Sequence, residues 1–398
     1  MENACAGNGL AGVVKSVTES LASGDDAALA AAGSGPVFNV LEHLCEIGET
    51  DLACTLFERA LGQGLQLPPP HVLSDALRRL GDGDREIACW RLWAEKRPEL
   101  PVGWIGLTQR LERIGRYQEA RDAAEAALRK FPKSLPLAIR AGRAHLLSGN
   151  RMAALAAFKR AQEASPTPPI WLQRAVDALQ EDVIELFDMT FHVPEAVVSP
   201  RVMLTLATGQ YEGKERAALL NDLRETDRVL EFGTGIGLLA CSATQRFPGL
   251  PFVTVEANPT LPPVIRRNFA SNGCGARLIE GVASLNSGQT AFHLTKDFWA
   301  SSTRAEVDPV STVERPETDA NALIQDFRPS IVMMDIEGGE ADLLPGLDLS
   351  GVRRVIIELH PAFYGNETSS DIIRAVLSAG LVLDLENTSG DVYAFTRP

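Results

Sequence analysis

Two different rhythms of apolar residues divide this chain. Up to about residue 189 the apolar positions recur at three- and four-residue spacing, which predicts amphipathic helices. The stretch Ile170 to Met189 is the last of them, with Trp171, Leu172, Val176, Leu179, Val183 and Leu186 on one face. Beyond about residue 205 short apolar runs alternate with helical stretches. Strands are predicted at Arg228–Phe232, Phe252–Glu256, Arg277–Val282, Ser330–Asp335, Val352–Glu358, Leu381–Leu385 and Val392–Thr396. The first five lie between helices and predict a parallel sheet with crossover connections. The last two, joined by Glu386-Asn-Thr-Ser-Gly-Asp391, predict an antiparallel hairpin.

The helical half repeats. Gly81, Gly115 and Gly149 are spaced by 34 residues, as are Pro98, Pro132 and Pro166, and the core positions Ala120 and Ala154, Ala127 and Ala161, and Trp90, Ala124 and Phe158 recur with them. Each unit is a pair of amphipathic helices. The glycine permits the turn and the proline ends the second helix. The unit from Pro101 to Ser134, with Trp104, Leu107, Gly115, Ala120, Ala127 and Pro132, resembles a tetratricopeptide repeat. Residues 34–66 read as a degenerate earlier unit around Gly48, Ala53, Phe57 and Ala60. Trp90, Trp93 and Trp104 are expected between helices, because stacked units must bury their apolar faces together. The array can bind a protein or peptide, bind a second copy of itself, or act as a spacer. Residues 1–33, rich in Ala, Gly and Ser, support no more than a short helix around Val13–Leu21. The expected organisation is therefore 1–33 poorly defined, 34–189 helical repeats, 190–205 linker and 206–398 an α/β domain. The fold class is α followed by α/β.

Chemistry concentrates at Arg228-Val-Leu-Glu231-Phe-Gly233-Thr-Gly235-Ile-Gly237 and the later Val253-Thr-Val-Glu256. A strand, a glycine-rich turn and a helix place free backbone N–H groups around a ligand, and a carboxylate about twenty residues on suits ribose hydroxyls. The third glycine comes one residue too early for a dinucleotide fingerprint. Glu231, two positions before the first glycine, suits a ligand with a positive amino group. The expected cofactor is S-adenosylmethionine (SAM). Gly233, Gly235 and Gly237 are expected to hold its methionine portion and Glu256 its ribose, with Val282 and Ala283 against the adenine. Five parallel strands closed by a hairpin is also the layout of class I SAM-dependent methyltransferases, with a Rossmann-like sheet.

Several segments together resemble the FkbM family of that class: Gly209-Gln-Tyr211-Glu212, the glycine turn, Gly281-Val-Ala283-Ser, Trp299-Ala-Ser301-Ser302, Asp335-Ile-Glu337-Gly-Gly-Glu340 and Val355-Ile-Ile-Glu358-Leu-His360. Family members commonly open the turn with Asp and carry Asn within it, where this chain has Glu231, Thr234 and Ile236. The resemblance implies methyl transfer to a hydroxyl of a sugar or natural product, with Tyr211 and Glu212 closing over the cofactor.

The expected catalytic set is Asp335, as base or substrate orienter, with His360 and Glu337 behind it; a positioned base is worth about 10²–10⁴-fold. Asp335 also qualifies as the N-cap of a helix over Gly338–Leu344. Glu340 suits the first turn of that helix, where its charge complements the dipole. No metal is expected. The long connection Ser284–Asp326 predicts an extra hairpin and a loop over the site. The function expected is SAM-dependent O-methylation of a hydroxyl or carboxyl on a glycan or natural product. The alternatives are a protein or peptide methyltransferase whose repeats recruit the acceptor, and a non-catalytic repeat scaffold.

Composition narrows the partners. A formal charge of −14 opposes nucleic acid and anionic membrane surfaces. The six cysteines are scattered without metal-ligand spacing, as in reduced thiols of a cytoplasmic protein. No apolar run approaches a membrane span, and the N-terminus lacks the pattern of a signal peptide.

Overall fold

The computed structural model describes residues 14, 17–19, 23, 26–303 and 309–398. The chain divides into two compact units, 1–168 and 169–398. Most of the helix expected around Val13–Leu21 lies outside the described residues.

In the first unit successive helix pairs follow the repeat: Ser34–Glu46 with Thr50–Gly62, His71–Arg79 with Gly83–Lys96, Pro101–Arg113 with Tyr117–Lys130, and Leu135–Leu147 with Arg151–Glu163. The degenerate early unit is thus a helix pair like the others. Gly115 turns the chain between paired helices at φ 79, a conformation that costs a residue without Cβ little. Trp90, Ala124 and Phe158, at the same place in successive repeats, are all fully buried. Large rings there demand small residues opposite: a Cβ on Gly106 would lie 2.0 Å from Trp90, and one on Gly142 2.4 Å from Phe158. Trp93 donates its indole N–H to the Leu67 carbonyl at 3.1 Å. The tryptophans at 90 and 93 are core, as expected.

The second unit departs from the expected boundaries. The helix from Ile170 ends at Glu181, and Asp182 is left-handed at φ 55. Residues 183–192 form a hairpin, β1 (Val183–Leu186) paired with β2 (Met189–His192). Phe187 and Asp188 both take positive φ at its turn, which suits the strand twist. Val183 and Leu186 therefore belong to a strand, and helical spacing misreads them because a short apolar run fits either period. The hairpin is bonded to the helix Pro262–Ser271: Asn268 accepts from the His192 N–H at 2.7 Å, and Asn272 from the Thr190 N–H at 2.9 Å. Residues 190–205 are thus no free linker; they hold β2 and the start of a helix over Pro200–Thr208. The helix Ile170–Glu181 packs on β1 and on the helix Pro200–Thr208, within the second unit.

The main sheet contains β3 (Val229–Phe232), β4 (Phe252–Glu256), β5 (Arg277–Glu280), β9 (Ile331–Met334), β10 (Arg354–Glu358), β11 (Val382–Leu383) and β12 (Val392–Thr396), in the order β11-β12-β10-β9-β3-β4-β5. The five strands from β5 to β10 are parallel, and β12 runs antiparallel beside β10. The chain moves outward from β3 to β5, then returns to lay β9 on the other side of β3. Ligands collect outside the carboxyl ends at such a reversal. The expected strand Arg277–Val282 breaks at Gly281. Beyond it β6 (Val282–Ser284) joins β7 (Gln289–Leu294) and β8 (Ser311–Asp319) in a separate three-stranded sheet. The extra hairpin is present as β7–β8; residues 304–308 of the expected loop lie outside the described residues. Among the described residues no helix is long and apolar enough to cross a membrane.

Candidate functional site

The turn after β3 is closed by its neighbours. Glu256, at the end of β4, is buried and accepts from the N–H groups of Thr234 (3.1 Å), Gly235 (3.2 Å) and Asn258 (2.7 Å). Burial pushes its carboxyl up to about 7 against the pull of those donors. Thr254 donates to Glu231 at 2.6 Å, leaving Glu231 Oε1 buried with no hydrogen-bond partner. Burial holds the Glu231 carboxyl well above its ordinary range. Glycine is required at the turn for space as well as conformation: Gly235 sits at φ 54, and a Cβ there would lie 2.2 Å from the Tyr211 hydroxyl.

A cavity opens over this turn. Tyr211, Glu212, Gly233, Gly235, Glu256, Ala283, Asp335 and Glu337 line it, with the apolar Leu261, Phe292, Phe298 and Trp299. Three of the residues expected around the cofactor do not line it. Val282 precedes Ala283 on β6, so the strand turns its side chain to the other face, where it is buried. Gly237 serves packing instead, since a Cβ there would lie 2.7 Å from the Phe269 ring. Glu231 lies beneath the turn and is absent from the lining.

A second cavity shares Tyr211, Glu212, Trp299, Asp335 and Glu337 with the first and continues to Glu215, Glu358 and His360. Tyr211 stacks on Trp299 with ring centres 6.2 Å apart. Glu212 and Glu337 both take left-handed backbone, at φ 48 and 50, a strained choice for acids and common where side chains serve a site. His360 Nε2 faces Glu337 at 3.4 Å, Asp335 at 3.6 Å and Glu358 at 4.0 Å. Burial raises Asp335 to about 8, Glu337 to about 7 and Glu358 to about 8, and their crowding adds to it. Burial alone would lower His360, but the hydrogen bond to Glu340 and the surrounding carboxylates lift it to about 10. These groups titrate as a set.

Asp335, Glu337 and His360 are thus brought together, and Glu358 and Glu215 join them. Glu358 was marked in sequence by its strand-end position and by its place in the segment 355–360; nothing in the sequence marked Glu215. Asp335 does not cap the following helix, which starts at Glu340. Glu340 instead folds back into the loop before it. Asp335, Glu358 and His360 offer ligand atoms within 4.8 Å of one another, a spacing a divalent cation can use.

The pocket fits SAM on its own features. Glu212, which lines the cavity, holds a buried acceptor atom, Oε2, that lacks a donor, as a group awaiting a polar ligand does. Gly233 and Gly235 line the cavity without a side chain, and the Glu256 carboxyl group lines it beside them.

Residues 232–383 match the family described as the Methyltransferase FkbM domain, and residues 101–144 match the tetratricopeptide repeat. No curated protein matches the chain in sequence. Among solved structures the chain is similar to a precorrin-6y C5,15-methyltransferase of Geobacter metallireducens GS-15, at 12% identity over 47% of this chain and 88% of that one, TM-score 0.31. It is also similar to a single-residue mutant of MtNAS in complex with S-adenosylmethionine, at 14% identity over 73% and 98%, TM-score 0.30. A thermophilic TPR protein of Thermus thermophilus is 21% identical over 48% and 91%, TM-score 0.26. Likenesses at this level carry no functional weight. Residues 232–383 are an FkbM methyltransferase domain, with SAM as its cofactor, in a chain that also carries a tetratricopeptide repeat.

Proposed function

We propose that this protein is an O-methyltransferase acting on a hydroxyl of a glycan or natural product. The observation that carries the reading is the continuity of the two cavities, which puts the His360, Asp335 and Glu337 cluster beside the cofactor turn. SAM supplies an electrophilic methyl group; the chain supplies alignment and a proton acceptor. In this reading Gly233 and Gly235 cradle the methionine portion, Glu231 supports the turn from beneath and Glu256 holds the ribose. Ala283 borders the adenine, and Tyr211 and Glu212 close the turn from above. Gly237 and Val282 support the site by packing. Asp335 and Glu337 orient the acceptor, and His360 Nε2 would take the hydroxyl proton in its neutral form, which is populated as the pH rises toward about 10.

Between the two oxygen acceptors expected from sequence, the pocket favours the hydroxyl. Its walls carry five carboxyl groups, Glu212, Glu215, Asp335, Glu337 and Glu358, and its lysine, Lys214, is paired with Asp391. Such walls repel an acceptor carboxylate and accept hydrogen bonds from a polyol.

The repeat match favours a second reading, in which the first unit recruits a protein or peptide acceptor; self-association through that unit is compatible with either. The five described cysteines are free, in accord with a cytoplasmic location. Incubation with methyl-labelled SAM and a host lysate separates the readings. Label in the glycan or small-molecule fraction supports the first, label in a protein band supports the second, and no label in either counts against both.

A further inference from the structure

Glu340 is the most thoroughly buried acid of the site region, with no exposed surface, yet it does not line either cavity. Its Oε1 accepts from the Ile336 N–H at 3.0 Å and its Oε2 from the Gly338 N–H at 2.9 Å. Oε1 also lies 3.1 Å from His360 Nδ1. We infer that Glu340 is a positioning residue, which fixes the charge and tautomer of His360 while tying it to the loop that carries Asp335 and Glu337. This rests on the reading of His360 as the proton acceptor.

The direction of the bond follows from the donors present. Both Glu340 oxygens accept backbone N–H groups, as a carboxylate does, and His360 Nδ1 is placed to donate to Oε1. A neutral His360 then carries its proton on Nδ1 and presents the Nε2 lone pair to the cavity. The opposite tautomer would set that lone pair against a buried carboxylate. The His360 N–H donates to the Tyr364 hydroxyl at 2.7 Å, which fixes the backbone at the same point. One side chain thus spans the loop after β9 and the second residue after β10. The acids on one strand end are thereby held in register with the base on the next.

A role confined to stapling the loop makes a different prediction from a role in setting His360. Glu340→Gln keeps the size of the side chain but offers one acceptor oxygen and an NH₂ group. The test uses the full chain with ¹⁵N-labelled histidine, the His360 signals being assigned by their loss in His360→Asn. In Glu340→Gln the ring pKa should fall by at least about one unit, tenfold in proton affinity. Binding of S-adenosylhomocysteine should stay within about threefold. An unchanged His360 titration, or loss of cofactor binding with that titration intact, overturns the inference and leaves Glu340 as a loop staple. Should the variant not fold, the wild-type protein decides. A far-downfield Nδ1 proton that titrates with the ring is expected, and its absence would overturn the inference. None of these readouts involves methyl transfer. If His360→Ala retained full transfer, the proton-acceptor reading would fail while the result on Glu340 stood.

Discussion

The α-carbon of Gly233 faces the Asp335 carbonyl so closely that a Cβ added there would lie 1.8 Å from the oxygen. The cofactor turn and the acidic strand end are therefore in backbone contact, and the Asp335 N–H bonds the Phe232 carbonyl at 2.9 Å. Any side chain at 233 must pry the two apart. Gly233→Ala is also strained at φ 92. It should cost at least about 3 kcal/mol of stability in the second unit and remove detectable SAM binding. Calorimetry and thermal melts check both. Wild-type affinity in this variant would refute the turn as the cofactor cradle.

Glu256 has two jobs in this reading, and two substitutions separate them. Glu256→Ala strands three backbone N–H groups and should destabilise by about 2–4 kcal/mol in addition to losing cofactor. Glu256→Gln retains an acceptor and should fold better while still losing more than about tenfold in SAM affinity, since the ribose hydroxyls lose a charged partner. Tight binding by a well-folded Glu256→Gln would dismiss the ribose role.

Stability of the cofactor-free protein should fall with rising pH. Asp335, Glu337, Glu358 and Glu256 titrate near 7–8 when folded, against ordinary values near 4, and His360 near 10 against 6.5. A raised folded pKa gives stability that is complete below the unfolded value and lost as pH passes the folded one. The acids' contribution thus disappears between about pH 4 and 8, and that of His360 between about 6.5 and 10. Asp222 and Asp227 work the other way: burial opposes their ionisation but Arg353 outweighs it, so their effect is confined to the acid end. The melting temperature should therefore be higher at pH 5 than at pH 8, with a shallower slope in Asp335→Asn. A flat or rising profile would contradict the cluster.

Because residues 169–398 form their own compact unit around the sheet, that fragment should fold alone and bind SAM within about threefold of the full chain. Proteolysis and titration of the purified fragment decide. A folded fragment that cannot bind would mean that the repeats complete the site.

The sequence exposed what depends on periodicity and backbone. The 34-residue spacing of Gly81, Gly115 and Gly149 identified the helix pairs, since each glycine does the same turn. Glu256 and Asp335 were legible because acids that terminate apolar runs stand out, and Glu231 because it directly precedes Phe232 and the glycine turn. What stayed hidden depends on direction in space. Nothing in a string distinguishes Ala283, which faces the cavity, from Val282, which does not. Glu340 sits where a helix-dipole acid belongs, and only the fold reveals that its carboxylate turns back to His360. Val183–Leu186 read as helix because four apolar-rich residues fit both periods, and the turn at Phe187 and Asp188 contains no glycine to mark it.

The insertion of β12 between β10 and β11 has a consequence for how the molecule is made. The helix pairs of the first unit join neighbours in sequence and can assemble as they leave the ribosome. The strand that carries Glu358, just ahead of His360, cannot be flanked on both sides until residues 392–396 are available, and the Leu359 N–H waits for the Asp391 carbonyl at 2.9 Å. Half of the site is thus assembled last. Translation arrested short of residue 392 should yield folded repeats beside an unfinished, inactive sheet.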